Sequence, residues 1–121
     1  MVNSPQWQET LLVFTYDEHG GFHDAVPPYG ATPPNDGSPR DLSINSGGFL
    51  FDQYGVRVPA VIVSPLIPQA SVSHTQYDHA SVAATLEALW GLPYMTARDQ
   101  HANTVLPLLS LGSPRTDCPT M

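Results

Sequence analysis

The sequence is poor in charge, above all in positive charge, and in cysteine. Only 12% of its 121 residues are charged, about half the share usual for a soluble domain. Four are basic and eleven acidic, giving a net charge of −7 at pH 7. Nucleic acid and anionic membrane surfaces are bound through basic patches, so neither fits as a main partner. The single cysteine, Cys118, excludes an intrachain disulfide and carries no reading of redox compartment. No run approaches the roughly 20 apolar residues of a transmembrane helix. The opening Met1-Val2-Asn3-Ser4-Pro5 lacks the basic and apolar regions of a signal peptide. Scarce charge also argues against disorder, which goes with high net charge and few aromatics.

What is present is proline, 13 residues of it, and an apolar fraction of 41%. Together they suggest long ordered loops on a packed scaffold, in a chain long enough for one domain. Ser4 and Pro5 read as the N-cap and first position of a short helical turn. The continuous apolar run within Leu11–Tyr16 predicts a strand buried on both faces, as in a parallel sheet. Residues 17–48 read as one long loop, punctuated by Pro27-Pro28, Pro33-Pro34 and Gly47-Gly48. Loops of that length are commonly functional. Phe49–Gly55 reads as a short extended piece and a turn. Arg57–Pro65 predicts a second strand, with Pro59 confined to its beginning. Ala80–Trp90 is the clearest helix: Val82, Leu86, Leu89 and Trp90 form an apolar stripe, Asp78 suits the N-cap and Gly91 the C-terminal turn. A shorter helix is expected within Asp99–Leu109, broken near Pro107, with Arg98-Asp99 as a structural pair. Two core strands, one main helix and long loops cannot cover both faces of a parallel sheet. The chain therefore reads as part of a larger α/β domain.

Chemistry concentrates in Thr15-Tyr16-Asp17-Glu18-His19-Gly20-Gly21-Phe22. Catalytic and ligand groups gather at the carboxyl ends of strands in open α/β sheets. Asp17 and Glu18 are adjacent hard oxygen donors, the pattern of a divalent-cation site. The acidic balance fits such a site, since a bound cation offsets part of the charge. His19 can serve as a ligand, as a group that orients a carboxylate, or as a packed residue at the strand end. His79, beside Asp78 at a helix start, is a second candidate catalytic histidine; the alternative is a first-turn residue next to a cap. Gly20 and Gly21 serve the turn. Arg57 suits either phosphate binding or an ion pair within the fold, the latter being preferred. Ser43, Ser46 and Ser64 lie in no strand-to-helix elbow, so none is read as a nucleophile.

Several blocks in order resemble one family: Ser4-Pro5-Gln6-Trp7, the run Thr15–Phe22, Val26-Pro27-Pro28, Gly55–Pro65, Tyr77-Asp78-His79-Ala80-Ser81, Arg98-Asp99 and Pro114-Arg115-Thr116-Asp117. They look like the C-terminal part of the phosphoesterase family that holds phosphatidylcholine-type phospholipases C and related acid phosphatases. The resemblance spans nearly all of residues 1–121, which it implies to be a single partial domain. It implies part of an alkaline phosphatase-like α/β/α sandwich and metal-assisted hydrolysis of phosphate esters. It assigns Asp17 and Glu18 as metal ligands, for calcium, magnesium or manganese. A Glu-Asn ligand pair and the hydroxyl nucleophile lie upstream in the family, so the missing N-terminal part of the domain is an expected partner. A phospholipid head group and a soluble phosphomonoester are both open as substrate. The family is often secreted. After the glycines it commonly reads Phe-Tyr-Asp-His-Val-Pro, whereas here Ala25 stands where histidine is usual. The alternative function is a non-catalytic truncated paralogue that binds a cation or docks on a full-length relative.

Overall fold

A computed structural model describes residues 2–36 and 47–118. The chain is mixed α/β, and its described part falls into two units.

The first unit comprises Met1–Glu18, Val58–His74 and Val105–Met121. Its centre is a two-stranded sheet, β1 (Leu12–Thr15) and β2 (Ala60–Val63). The β-branched and aromatic residues suit a pleated surface. Both strands form inside their expected spans and are shorter than expected. Pro59 and Pro65 bracket β2, since neither can donate to a ladder. The pairing is antiparallel, with Leu12 opposite Val63 and Thr15 opposite Ala60. This corrects the parallel expectation. It also corrects the expectation of strands buried on both faces: Phe14 is 61% and Val61 53% exposed. A buried-looking apolar run reports hydrophobicity, not which neighbours cover it. Thr15 Oγ1 donates to Pro59 O at 3.0 Å and extends the pairing by one step.

The buried apolar residues of this unit are Trp7, Ile67 and Val105, with Pro65 fully enclosed. Trp7 lies on a 3-10 turn, Trp7–Glu9, where a short helix is expected; Ser4 O and Ser4 Oγ accept from Trp7 N and Gln6 N. The C-terminal segment returns alongside β2's exit: Leu111 N donates to Leu66 O and Arg115 N to Pro65 O. Arg115 also binds Asp117 and Ile67 O.

The second unit comprises His19–Arg57 and Thr75–Thr104. It holds α1 (Ala80–Trp90) and α2 (Ala97–His101), which pack on each other. The bounds of α1 are the expected ones. At its start Asp78 Oδ1 accepts from Ser81 N at 3.2 Å, and Ser81 Oγ accepts from Asp78 N at 3.0 Å. This reciprocal pair satisfies two backbone donors in the manner of a capping box. At its end Gly91 takes a left-handed conformation (φ 63°), and Leu92 N bonds back to Glu87 O at 2.9 Å. The buried face, however, is not the expected stripe. Ser81, Ala84, Thr85 and Glu87 are buried, while Leu89 is 54% and Trp90 64% exposed. Small side chains allow close approach to the neighbouring segments, and the larger apolar residues stay outside.

The expected helix within Asp99–Leu109 resolves into α2 and a 3-10 turn, Leu106–Leu108. Thr96 caps α2 by accepting from Arg98 N and Asp99 N. Arg98 does not pair with Asp99 as expected. Its Nε donates to Asp78 Oδ2 at 3.0 Å, its Nη1 donates to Thr32 O and Phe51 O, and its guanidinium lies 4.7 Å from the Tyr54 ring centroid. The described parts of loop 17–48 contain no helix or strand. Gly30 makes an isolated antiparallel bridge to Gln53, and Ala97 N donates to Pro34 O at 2.8 Å. Ser43 and Ser46 lie outside the described residues.

Candidate functional site

Asp17 and Glu18 follow β1 by two and three residues, and both are solvent-exposed. Asp17 Oδ1 accepts from the Glu18 N–H at 3.0 Å, which fixes the first carboxylate against the backbone of the second residue. Then the chain reverses. Phe22 N donates to His19 O at 3.0 Å across Gly20 (φ 64°) and Gly21 (φ 77°). Side-chain-bearing residues rarely adopt two successive left-handed conformations, which is why glycine stands at both positions. A Cβ on Gly20 would also meet the Phe22 ring at 3.3 Å. The turn is closed on the other side by His19, whose Nδ1 accepts from Gly21 N at 3.1 Å. A neutral His19 accepting at Nδ1 carries its proton on Nε2.

Downstream, Asp24 is held by Arg57, which donates from Nε at 2.6 Å and from Nη2 at 2.8 Å. The preferred reading of Arg57 as an ion-pair partner is met. This pairing, together with Val26 N, holds the Asp24 carboxyl well below the usual carboxylate range. Asp24 had drawn no attention in the sequence, and nothing local links residues 33 positions apart. Ala25 and His23 are exposed.

His79 is exposed, has helical backbone angles at the entry to α1, and its carbonyl accepts from Val82 N at 3.2 Å. It lies between the Asp78–Arg98 ion pair and the first turn. A polar cavity of about 60 Å³, lined by Tyr54, Asp78, Ser81, His101 and Asn103 among others, sits in this unit. That is far below the roughly 300 Å³ of small-molecule sites.

Asp17 and Glu18 thus stand at the end of the Met1–Glu18 segment of the first unit, whereas His19 and His79 both belong to the second. Among the described residues no group of three or more His, Cys, Asp or Glu side chains converges to hold a metal. Two exposed, adjacent carboxylates fit a hard cation as a partial donor set, since such ions take about six oxygens. Among the described residues no helix is long and apolar enough to cross a membrane.

The chain is thus mixed α/β, with an acidic pair at a strand end and a double-glycine turn after it. The sequence model of the Phosphoesterase family matches residues 1–93, and the chain belongs to that family. Its mixed α/β structure fits an alkaline phosphatase-like fold. It is 45% identical to non-specific phospholipase C6 and 43% identical to non-specific phospholipase C3 of Arabidopsis thaliana, matching over 97% and 96% of its own length. It is 33% identical to phospholipase C B of Mycobacterium tuberculosis (strain ATCC 25618 / H37Rv), over 93% of its length. The chain spans 24%, 24% and 23% of these three relatives, about a quarter of each.

Proposed function

We propose that this chain is the C-terminal segment of a metal-assisted phosphate-ester hydrolase domain, and that Asp17 and Glu18 are its contribution to the metal site. The observation that carries the reading is the pair itself: two adjacent exposed carboxylates just past the end of β1, followed by two glycines in left-handed conformations. Calcium, magnesium or manganese suits carboxylate donors. Such an ion supplies charge stabilisation at a phosphoryl oxygen and lowers the pKa of a bound hydroxyl. Within the chain, Asp17 and Glu18 would hold it. His19, whose Nδ1 is taken by Gly21 N, offers Nε2 as the atom for proton exchange. His79 is the second candidate for proton transfer. The remaining ligands and the nucleophile come from outside residues 1–121.

Two further facts support the segment reading. The chain matches relatives about four times its length. It also exposes the Val82, Leu86, Leu89 and Trp90 face, which a larger domain has the surface to cover. A phospholipid head-group ester is the substrate favoured by the relatives' names, with a soluble phosphomonoester as the second choice.

The test is a chimera in which this chain replaces the matching quarter of non-specific phospholipase C3. Hydrolysis of phosphatidylcholine is expected, with loss of at least about a hundredfold on Asp17→Ala, in line with removal of a charge-stabilising group. The isolated chain is expected to be inactive but to unfold at a higher temperature with millimolar calcium or manganese, an increment absent from Asp17→Ala. A folded, inactive chimera together with metal binding would instead favour the non-catalytic cation-binding reading.

A further inference from the structure

Glu87 is an anomaly in the second unit. It lies on α1, is 5% exposed, and among the described residues no donor is bonded to either carboxyl oxygen. Its neighbour across the helix contact is Asp99 of α2, itself 3% exposed. The two carboxyls are treated differently. Asp99 is well served: Met95 N donates to Oδ2 at 2.8 Å and Thr96 Oγ1 donates to Oδ1. Among the described residues no cation makes up the deficit. α2 presents three titratable groups, Arg98, Asp99 and His101. Arg98 is engaged by Asp78, Thr32 O and Phe51 O, His101 Nδ1 is bonded to Ala97 O at 2.8 Å, and the charge acting on Glu87 is that of Asp99. On its own helix Glu87 is the one acidic residue. A buried carboxylate without donors, facing a second carboxylate, is strongly unfavourable and takes up a proton instead.

We propose that Glu87 keeps its proton in the folded chain at pH values where an exposed glutamate has lost it, and donates that proton to the Asp99 carboxylate, latching α1 to α2 through one shared proton. Burial first and the Asp99 charge second push Glu87 upward. Burial also pushes Asp99 upward, but the bonds from Thr96 and Met95 outweigh it and hold Asp99 at about 2. Two neighbouring carboxyls with opposite displacements divide into an acid and a base. The latch reaches further than its own contact. Asp99 is next to Arg98, and Arg98 binds Asp78 at the mouth of α1, beside His79. Loss of the shared proton places two anions in the helix contact and loosens the segment that holds Asp78. This inference is independent of the proposed function.

The sign follows from linkage. A group raised above its unfolded value contributes stability that is complete below that value, near pH 4, and lost as pH rises through the folded value. Each unit of elevation is a tenfold loss in the folded-to-unfolded ratio. The test compares urea unfolding of the 121-residue chain with Glu87→Gln at pH 5 and pH 8. Glutamine keeps a donor toward Asp99 but cannot ionise. The wild type is expected to lose more of its folded-to-unfolded ratio than the variant between these pH values. The Glu87 carboxyl carbon, followed by NMR in the wild type, is expected to titrate above the ordinary carboxylate range and to move back toward it in Asp99→Asn. Equal pH slopes in wild type and Glu87→Gln would overturn the latch, as would a Glu87 resonance titrating with the exposed carboxylates. A chain with no cooperative unfolding at either pH would overturn it too, because the latch requires a folded helix contact.

Discussion

Gly20 and Gly21 illustrate how one backbone feature reports on a site. Both sit in left-handed conformations, but their surroundings differ, and so should their substitutions. Gly21→Ala meets nothing within 4 Å and carries conformational strain alone, about 1 kcal/mol. Gly20→Ala adds a contact with the Phe22 ring at 3.3 Å, so a loss nearer 2 kcal/mol is expected. Urea midpoints of the two variants rank them, and equal losses would show that Phe22 moves aside freely. At this scale the sequence was highly legible. Adjacent carboxylates and adjacent glycines after an apolar run are a local signal, and the strand, the acids and the turn lie where that signal puts them. Asp24 was invisible for the opposite reason. Its partner Arg57 is 33 residues away, and no spacing rule links them.

Among the elements, caps were easier to read than faces. Asp78 and Gly91 delimit α1 because capping depends on the residue types at the helix ends and on bonds a few residues long. Which side of α1 is buried depends on what packs against it. The apolar stripe was therefore a sound reading of periodicity and the wrong prediction of burial: Ser81, Ala84 and Thr85 face inward. The antiparallel order of β1 and β2 escaped for the same reason, because an apolar run does not encode its neighbour's direction. Thr96 carries the clearest prediction at this scale. Its side chain accepts from Arg98 N and Asp99 N and donates to Asp99 Oδ1, so it both caps α2 and orients the Asp99 carboxylate. Thr96→Ala is expected to lose about 2 kcal/mol, the upper end of cap deletions, whereas Thr96→Ser retains most of it. Thermal unfolding of both variants checks the difference.

Among the described residues, a small number of named side chains each join several distant stretches of sequence. In the helical unit Arg98 ties three of them, Asp78 at the start of α1 and the carbonyls of Thr32 and Phe51 in the loops. Its Asp78 partner is mostly shielded, so Arg98→Met leaves a part-buried carboxylate unpaired and is expected to destabilise by about 3 kcal/mol. Early proteolytic cleavage in the loops around Thr32 and Phe51 is its signature.

The acid response of the chain follows from the same economy of contacts. Asp24, bound by Arg57, and Asp99, bound by Thr96 and Met95, are both held below the ordinary carboxylate range, Asp99 at about 2. A lowered carboxyl contributes stability that is present above its unfolded value and lost as pH falls through the folded one. For Asp99 that window runs from roughly pH 4 down to 2. Glu87 has the opposite sign and removes stability as pH rises above its unfolded value. The carboxyls of this unit should therefore give a stability maximum in mildly acidic solution, with a falling limb on each side owed to different residues. Asp24→Asn should flatten the acid limb and leave the alkaline one, and Glu87→Gln should do the reverse. Unfolding free energies measured from pH 2 to 8 separate the limbs, and a single variant that flattened both would show that one group, not several, sets the pH response.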